Sequence, residues 1–168
     1  MIAIGEAFEG EGANAAHINL ILGTKAELGS AYALAAASPG PGHIPFQAVV
    51  RPNLPAKPAT LFVAKAVLKD ERHEQMTWGP AQAGVAAGIT EALLGGVLPA
   101  EADDGWLAIA LVWVDPAADD AEAVYVNNRV ATLHAAERAQ QPGWPSREAL
   151  AQGLKQVANP FFTPATRS

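Results

Sequence analysis

The stretch IAIGEAFEGEGANAAHINLIL, from Ile2 to Leu22, decides how this chain begins to fold. Ile2–Phe8 and Ala15–Leu22 read as two strands joined through the turn Gly10-Glu11-Gly12, so the chain opens on a β-hairpin. Within the second strand, alternation sends Ile18, Leu20 and Leu22 to one face and His17, Asn19 and Ile21 to the other. Lys25 to Ala37 is rich in Ala and Leu without proline and reads as a helix, which Ser38-Pro39-Gly40-Pro41-Gly42 stops. Phe46–Val50 and Thr60–Leu68 read as further strands. Pro52, Pro55 and Pro58 lie between them, and their fixed φ and missing N–H groups are expected to prevent regular pairing there.

Pro80 suits a first helical turn, and Ala81 to Leu94 carries Val85, Ile89, Ala92 and Leu93 at helical spacing before Gly95-Gly96. Leu107–Val114 is apolar enough for a central strand. Asp119 to Ala139 predicts a helix burying Val124, Val130 and Leu133. From Gln140 the composition turns to Pro, Gly and polar residues around Trp144, Phe161 and Phe162, a tail with a short helix near Arg147–Val157 that is expected to dock on a neighbour. The reading is one domain over residues 1–139 with an extension over 140–168. It is an α+β layer fold in which helices pack on one face of a sheet.

Composition limits the function classes. Half of the 168 residues are hydrophobic and few are aromatic, so small side chains must pack closely, and some apolar surface is expected to be shared between subunits. A net charge of −6 with eleven scattered basic residues argues against a grip on nucleic-acid phosphates. No apolar run approaches the roughly 20 residues that cross a bilayer, and no leader pattern opens the chain, so a cytoplasmic home is expected. With no cysteine, disulfides, thiolate nucleophiles and zinc–sulfur sites are excluded.

The candidate chemistry rests on few side chains. His17 can move a proton near neutral pH, and it can equally be a half-buried histidine satisfied by hydrogen bonds. His43, His73 and His134 complete the set, with no ligand-like spacing, so no metal is expected. Ser30, Ser38, Ser146 and Ser168 lack a nucleophile-elbow context, and Glu9/Glu11 and Asp103/Asp104 read as solvated turn residues. Lys65 is either a snorkelling lysine or a cleft residue, and Gln82 either an exposed helix-start residue or a cleft residue.

Seven collinear blocks over about residues 2 to 138 resemble the formaldehyde-activating enzymes. They are Ile4-Gly5-Glu6-Ala7, Ala16-His17-Ile18, Arg51 through Pro58, Gly79-Pro80-Ala81-Gln82, Gly96-Val97-Leu98-Pro99, Glu101-Ala102-Asp103-Asp104, and Asn127 with Ala131-Thr132. The resemblance implies a fold similar to ribosomal protein S5 domain 2, with a mixed sheet, and a homopentamer. It further implies a carbon–oxygen lyase (hydro-lyase) of one-carbon metabolism and formaldehyde detoxification, condensing formaldehyde with the co-substrate tetrahydromethanopterin to methylene-tetrahydromethanopterin and water. By the same resemblance His17 is the general acid, while Asn19, Gln47, Lys65, Val67 and Gln82 fall at carrier-contact positions. Three of these depart from the family pattern: Asn19 replaces an aspartate, Gln47 a leucine and Val67 a threonine. Changed pocket groups on a kept scaffold are the pattern of a divergent paralogue, either an enzyme with an altered carrier or a non-catalytic pterin or formaldehyde binder.

Overall fold

The computed structural model describes residues 2–38, 40–41, 43–158 and 164–165. Pro39, Gly42, Phe161, Phe162 and Ser168 lie outside the described residues.

The opening hairpin forms as alternation dictates. β1 (Ala3–Glu9) and β2 (Ala16–Thr24) pair antiparallel from Ala3 opposite Leu22 to Glu9 opposite Ala16. The turn needs glycine at Gly10 (φ 82°) and Gly12 (φ 62°), backbone conformations that resist a Cβ. Helix α1 (Lys25–Ala37) follows directly, its first turn closed by a capping box in which Thr24 and Glu27 satisfy each other's backbone N–H. Strand β7 (Trp106–Trp113) pairs antiparallel with β2 and parallel with β6 (Ala59–Ala64), and β3 (Phe46–Gln47) closes the edge, giving the mixed order β1-β2-β7-β6-β3.

The proline stretch departs from expectation. Val49–Arg51 (β4) and Leu54–Pro55 (β5) pair as a small antiparallel ribbon, with Asn53 at φ 66° making the turn. Pairing survives because proline lacks a donor but keeps its carbonyl, and asparagine tolerates the left-handed region. Lys57, beyond the ribbon, reaches Asp103 and Asp104 at 2.8 Å each and pins it to the short helix α4 (Ala102–Gly105), so these two acids are ion-pair partners.

Pro80 also behaves differently from a helix-start residue. A helix α2 (Glu71–Met76), which the sequence reading did not separate, begins at an Asp70 cap and continues through a wide turn over Thr77–Ala81 into α3 (Gln82–Leu94). Proline cannot donate inside a helix, and its ring crowds the carbonyl four residues back. Widening the turn so that the Gln82 N–H meets the Thr77 carbonyl, five residues back, accommodates both constraints.

Two layers of packing result. On one sheet face Ala16, Ile18, Leu20, Leu22, Phe62, Ala108, Ala110 and Val112 are buried with residues of α3 and of α5 (Ala121–Gln140). On the other, Leu28 of α1 packs with Ile21, Leu61, Leu107 and Ile109. The helices therefore lie on both faces, contrary to the one-face expectation, because β6 and β7 are apolar on both sides and each side must be covered. The buried side of α5 also differs: Val124 is buried as expected, but the rest is Asn128, Ala131, Thr132, Ala135 and Ala136, while Val130 and Leu133 are only half-buried. Close approach explains the choice, since a Cβ on Gly84 of α3 would come within 2.5 Å of the Tyr125 carbonyl oxygen of α5. The tail contains α6 (Arg147–Gly153), and residues 141–158 are exposed throughout, with Trp144 and Pro145 lining an open cleft beside Ile2, Ile4, Gly5 and Glu6. Among the described residues no helix is long and apolar enough to cross a membrane.

Candidate functional site

Helix α1 covers only part of its sheet face. It packs over Ile21, Leu61, Leu107 and Ile109, and the other end of that face, with His17, Asn19, Leu111, Trp113 and Lys65, stays half-exposed. Strand pairing lines these residues up. His17 of β2 lies opposite Trp113 of β7, and the Lys65 N–H donates to the Val112 carbonyl at 2.8 Å, which carries the β6 register one step further, to the level of Trp113. Lys65 then bends back, and its Nζ donates to the His17 carbonyl at 3.2 Å.

A carboxylate completes the cluster from a place the sequence reading left unassigned. Glu6 on β1 pairs with Asn19 in the backbone register, and its Oε1 lies 3.0 Å from His17 Nε2. Phe8, opposite His17, sets its ring at a tilt to the imidazole with centroids 6.3 Å apart. Alternation along β1 sets Ile4, Glu6 and Phe8 on one face. Only the register, which sequence does not supply, brings Glu6 to His17.

The local charges are unevenly balanced. Burial first, and then the nearby Lys65 ammonium, lower the His17 pKa, and the Glu6 carboxylate opposes them through charge and hydrogen bonding without reversing the direction. Burial pulls Lys65 down to about 8 against the favourable pull of Glu6. The resting cluster near neutral pH is thus a largely neutral imidazole beside a carboxylate and a lysine closer to losing its proton than a solvated one.

The remaining predicted residues lie elsewhere. Gln82 is buried at 8% exposure, not an exposed helix-start residue, and its Oε1 accepts the Val49 N–H at 2.6 Å. Together with Gln47, Ile44, Phe46, Val49 and Trp78 it lines a cleft of about 350 Å³ at the β3 edge. Gln47 pairs with Leu61, at the level of Ile109 and Ile21 and so four residues along the sheet from His17 and three strands across. At about 3.3 Å per residue and 4.8 Å per strand that separation is about 19 Å. Val67 lies two residues beyond Lys65 and is 52% exposed. The structure therefore groups His17, Asn19 and Lys65 in one place and Gln47 with Gln82 in another. Among the described residues no hydrogen bond or ion pair joins the two groups.

The other histidines have structural partners. His43 Nδ1 donates to the Ala64 carbonyl at 2.7 Å. Buried His73 donates from Nε2 to the Val114 carbonyl at 3.0 Å and accepts the Lys69 N–H at Nδ1, and His134 pairs with Glu9 at 2.6 Å. Glu9 is therefore a hydrogen-bond partner of His134 instead of a solvated turn residue. No cluster of three or more metal-binding side chains occurs among the described residues.

Similarity to other proteins agrees with this architecture. Residues 4–162 match the family described as formaldehyde-activating enzyme (Fae), a match that runs past Gln140 into the tail. Relatives named bifunctional enzyme Fae/Hps are 42% identical over 139 residues in Archaeoglobus fulgidus, covering 82% of this chain and 35% of the relative, and 44% identical over 140 residues in Methanoregula boonei, covering 83% and 36%. A third, from Methanosarcina acetivorans, is 36% identical over 146 residues, covering 86% and 37%. The chain spans about a third of the length of these curated relatives. On the strength of the family match and these identities, the chain belongs to the formaldehyde-activating enzyme family.

Proposed function

We propose that this protein condenses formaldehyde with tetrahydromethanopterin or a closely similar reduced pterin, giving the methylene adduct and water, with His17 as the proton-transfer group. The observation that carries this reading is a half-exposed imidazole, 31% accessible, bonded to a carboxylate at Nε2 and set beside a lysine that bonds its main-chain carbonyl, on a sheet face only partly covered.

The chemistry suits a histidine that rests neutral. One carrier nitrogen adds to the aldehyde carbon, and the proton it sheds passes to the imidazole. The imidazolium returns that proton to the alkoxide, giving the neutral carbinolamine, and a second proton drawn from solvent through the same ring lets the oxygen leave as water. The second nitrogen then closes on the iminium and releases its own proton, which replaces the one drawn from solvent. A pKa below the ordinary value makes His17 a stronger acid once protonated, and its neutral rest form is ready to accept the first proton. Holding both partners in one geometry supplies an orientational advantage besides.

For the carrier, the cleft near Gln47 and Gln82 offers amide groups and the Trp78 and Phe46 rings, which suit the polar edge and flat faces of a pterin. Its distance from His17 and the openness of the His17 face favour a site completed by a neighbouring protomer, in keeping with a homopentamer. Lys65 and Asn19 would then meet the carrier near the reacting nitrogens, and Val67 would stand at the rim.

Mixing protein, formaldehyde and the reduced carrier and following adduct formation against the spontaneous rate tests the proposal. Acceleration proportional to protein concentration is expected, and a rate equal to the spontaneous one rejects it. The replacements at Asn19, Gln47 and Val67 favour a second reading, a binder without turnover. Calorimetric binding of the carrier with no acceleration, followed by gained activity in the Asn19→Asp, Gln47→Leu, Val67→Thr variant, would establish that one instead.

A further inference from the structure

We propose that Glu6 is a positioning residue for His17, fixing the ring through Nε2 so that Nδ1 is the nitrogen that exchanges protons with the substrate. The proposal rests on the reading of His17 given above and names the atom that serves it.

The geometry is direct. Glu6 Oε1 lies 3.0 Å from Nε2, and among the described residues the ring has no other hydrogen-bond partner, which leaves Nδ1 open. A carboxylate only accepts, so the neutral ring must carry its hydrogen on Nε2 to make this bond, and the lone pair then resides on Nδ1. Accepting a proton at Nδ1 creates an imidazolium whose Nε2–H already points at a negative charge, and that charge favours the protonated form while the proton waits to be passed on. Among the described residues its other neighbours do not supply this: Phe8 from β1 and Trp113, paired with it on β7, are uncharged, and Lys65 beyond β6 opposes protonation. Arg138 of α5 donates to the Glu6 main-chain carbonyl at 2.6 Å and so holds the backbone that carries the carboxylate. With Asn19 neutral, Glu6 is the one carboxylate paired to this histidine among the described residues.

An ordinary surface ion pair would look similar, since the Glu6 side chain is 56% exposed and such pairs contribute little to stability. The two roles separate in their effect on the ring itself. Imidazole ¹⁵N spectra across a pH titration report both the tautomer and the titration midpoint of His17, and they need no substrate. In wild type the Nε2–H tautomer should dominate. In Glu6→Ala the preference should be lost and the midpoint should fall, while Glu6→Gln, which keeps an acceptor but no charge, should hold the tautomer and lower only the midpoint. In the condensation assay Glu6→Ala should reduce kcat about tenfold with KM for the carrier within about twofold, and Glu6→Asp should recover part of the loss. An unchanged tautomer, midpoint and kcat in Glu6→Ala, in a protein whose His17→Ala form has lost its acceleration, overturns this proposal and leaves the functional reading standing. Full acceleration in His17→Ala overturns both.

Discussion

The two faces of the sheet are built from the same strands and do opposite things. Along β2, Ala16, Ile18, Leu20 and Leu22 are wholly buried under α3 and α5, while His17, Asn19 and Ile21 alternate with them on the face that α1 covers only in part. The sealed face uses small residues to bring backbones close and contains the larger core. The open end of the other face collects the titratable side chains, where a ring nitrogen can meet solvent or substrate. Stability and chemistry are thus separated by a single residue step, and a change on one side should leave the other largely intact.

Neighbouring substitutions on one strand break this comparison most sharply. Leu20→Ala removes a fully buried side chain from the sealed face and should cost about 2–5 kcal/mol, whereas Ile21→Ala on the half-covered face should cost roughly half as much, both read by denaturant unfolding. Equal losses would mean that the second face is as well packed as the first. Next in size is Gly84→Ala, whose added methyl would meet the α5 backbone and should cost about 1–3 kcal/mol, with the rate per folded molecule unchanged.

On the open face the effects are smaller and electrostatic. Asn19→Asp places a carboxylate two residues from His17, and Coulomb attraction across about 6.6 Å should raise the histidine titration midpoint by roughly 0.5–1 unit, measurable by NMR. A further effect on this face concerns Lys65, whose folded pKa of about 8 lies below the roughly 10.4 of an unfolded lysine. Between those values the unfolded chain keeps a proton that the folded chain has shed, so this residue makes stability rise with pH from about 8 to about 10.4. Lys65→Met should flatten that rise in unfolding curves taken across the window. An unchanged slope would show that the lysine is better solvated than its surroundings suggest.

Much of this arrangement was legible in the chain. Alternation alone put His17 and Asn19 on one face, the proline-free run from Lys25 to Ala37 forms α1, and α3 buries Val85, Ile89 and Ala92 as its spacing predicts, with Leu93 half-buried. The missing parts share a physical cause. Hydrophobic spacing pointed α5 inward through Val130 and Leu133, yet beyond Val124 a helix pressed against Gly84 and the sheet buries only Ala, Thr and Asn, and steric room is invisible to a hydrophobicity pattern. Glu6 and Lys65 reach His17 from different strands, one through hairpin register and the other through a parallel pairing that spans α2 and α3, so no local window contains the cluster. The proline stretch forms a ribbon because Asn53 accepts the left-handed turn, a choice made by one backbone angle.

The most direct test is the rate of methylene-carrier formation by wild type and by His17→Ala under identical conditions, with the fold of each checked by circular dichroism. The account predicts a wild-type acceleration that falls about 10²–10⁴-fold in the variant while the spectrum is unchanged, the span that positioned proton transfer contributes. Equal acceleration by the two folded proteins would contradict it.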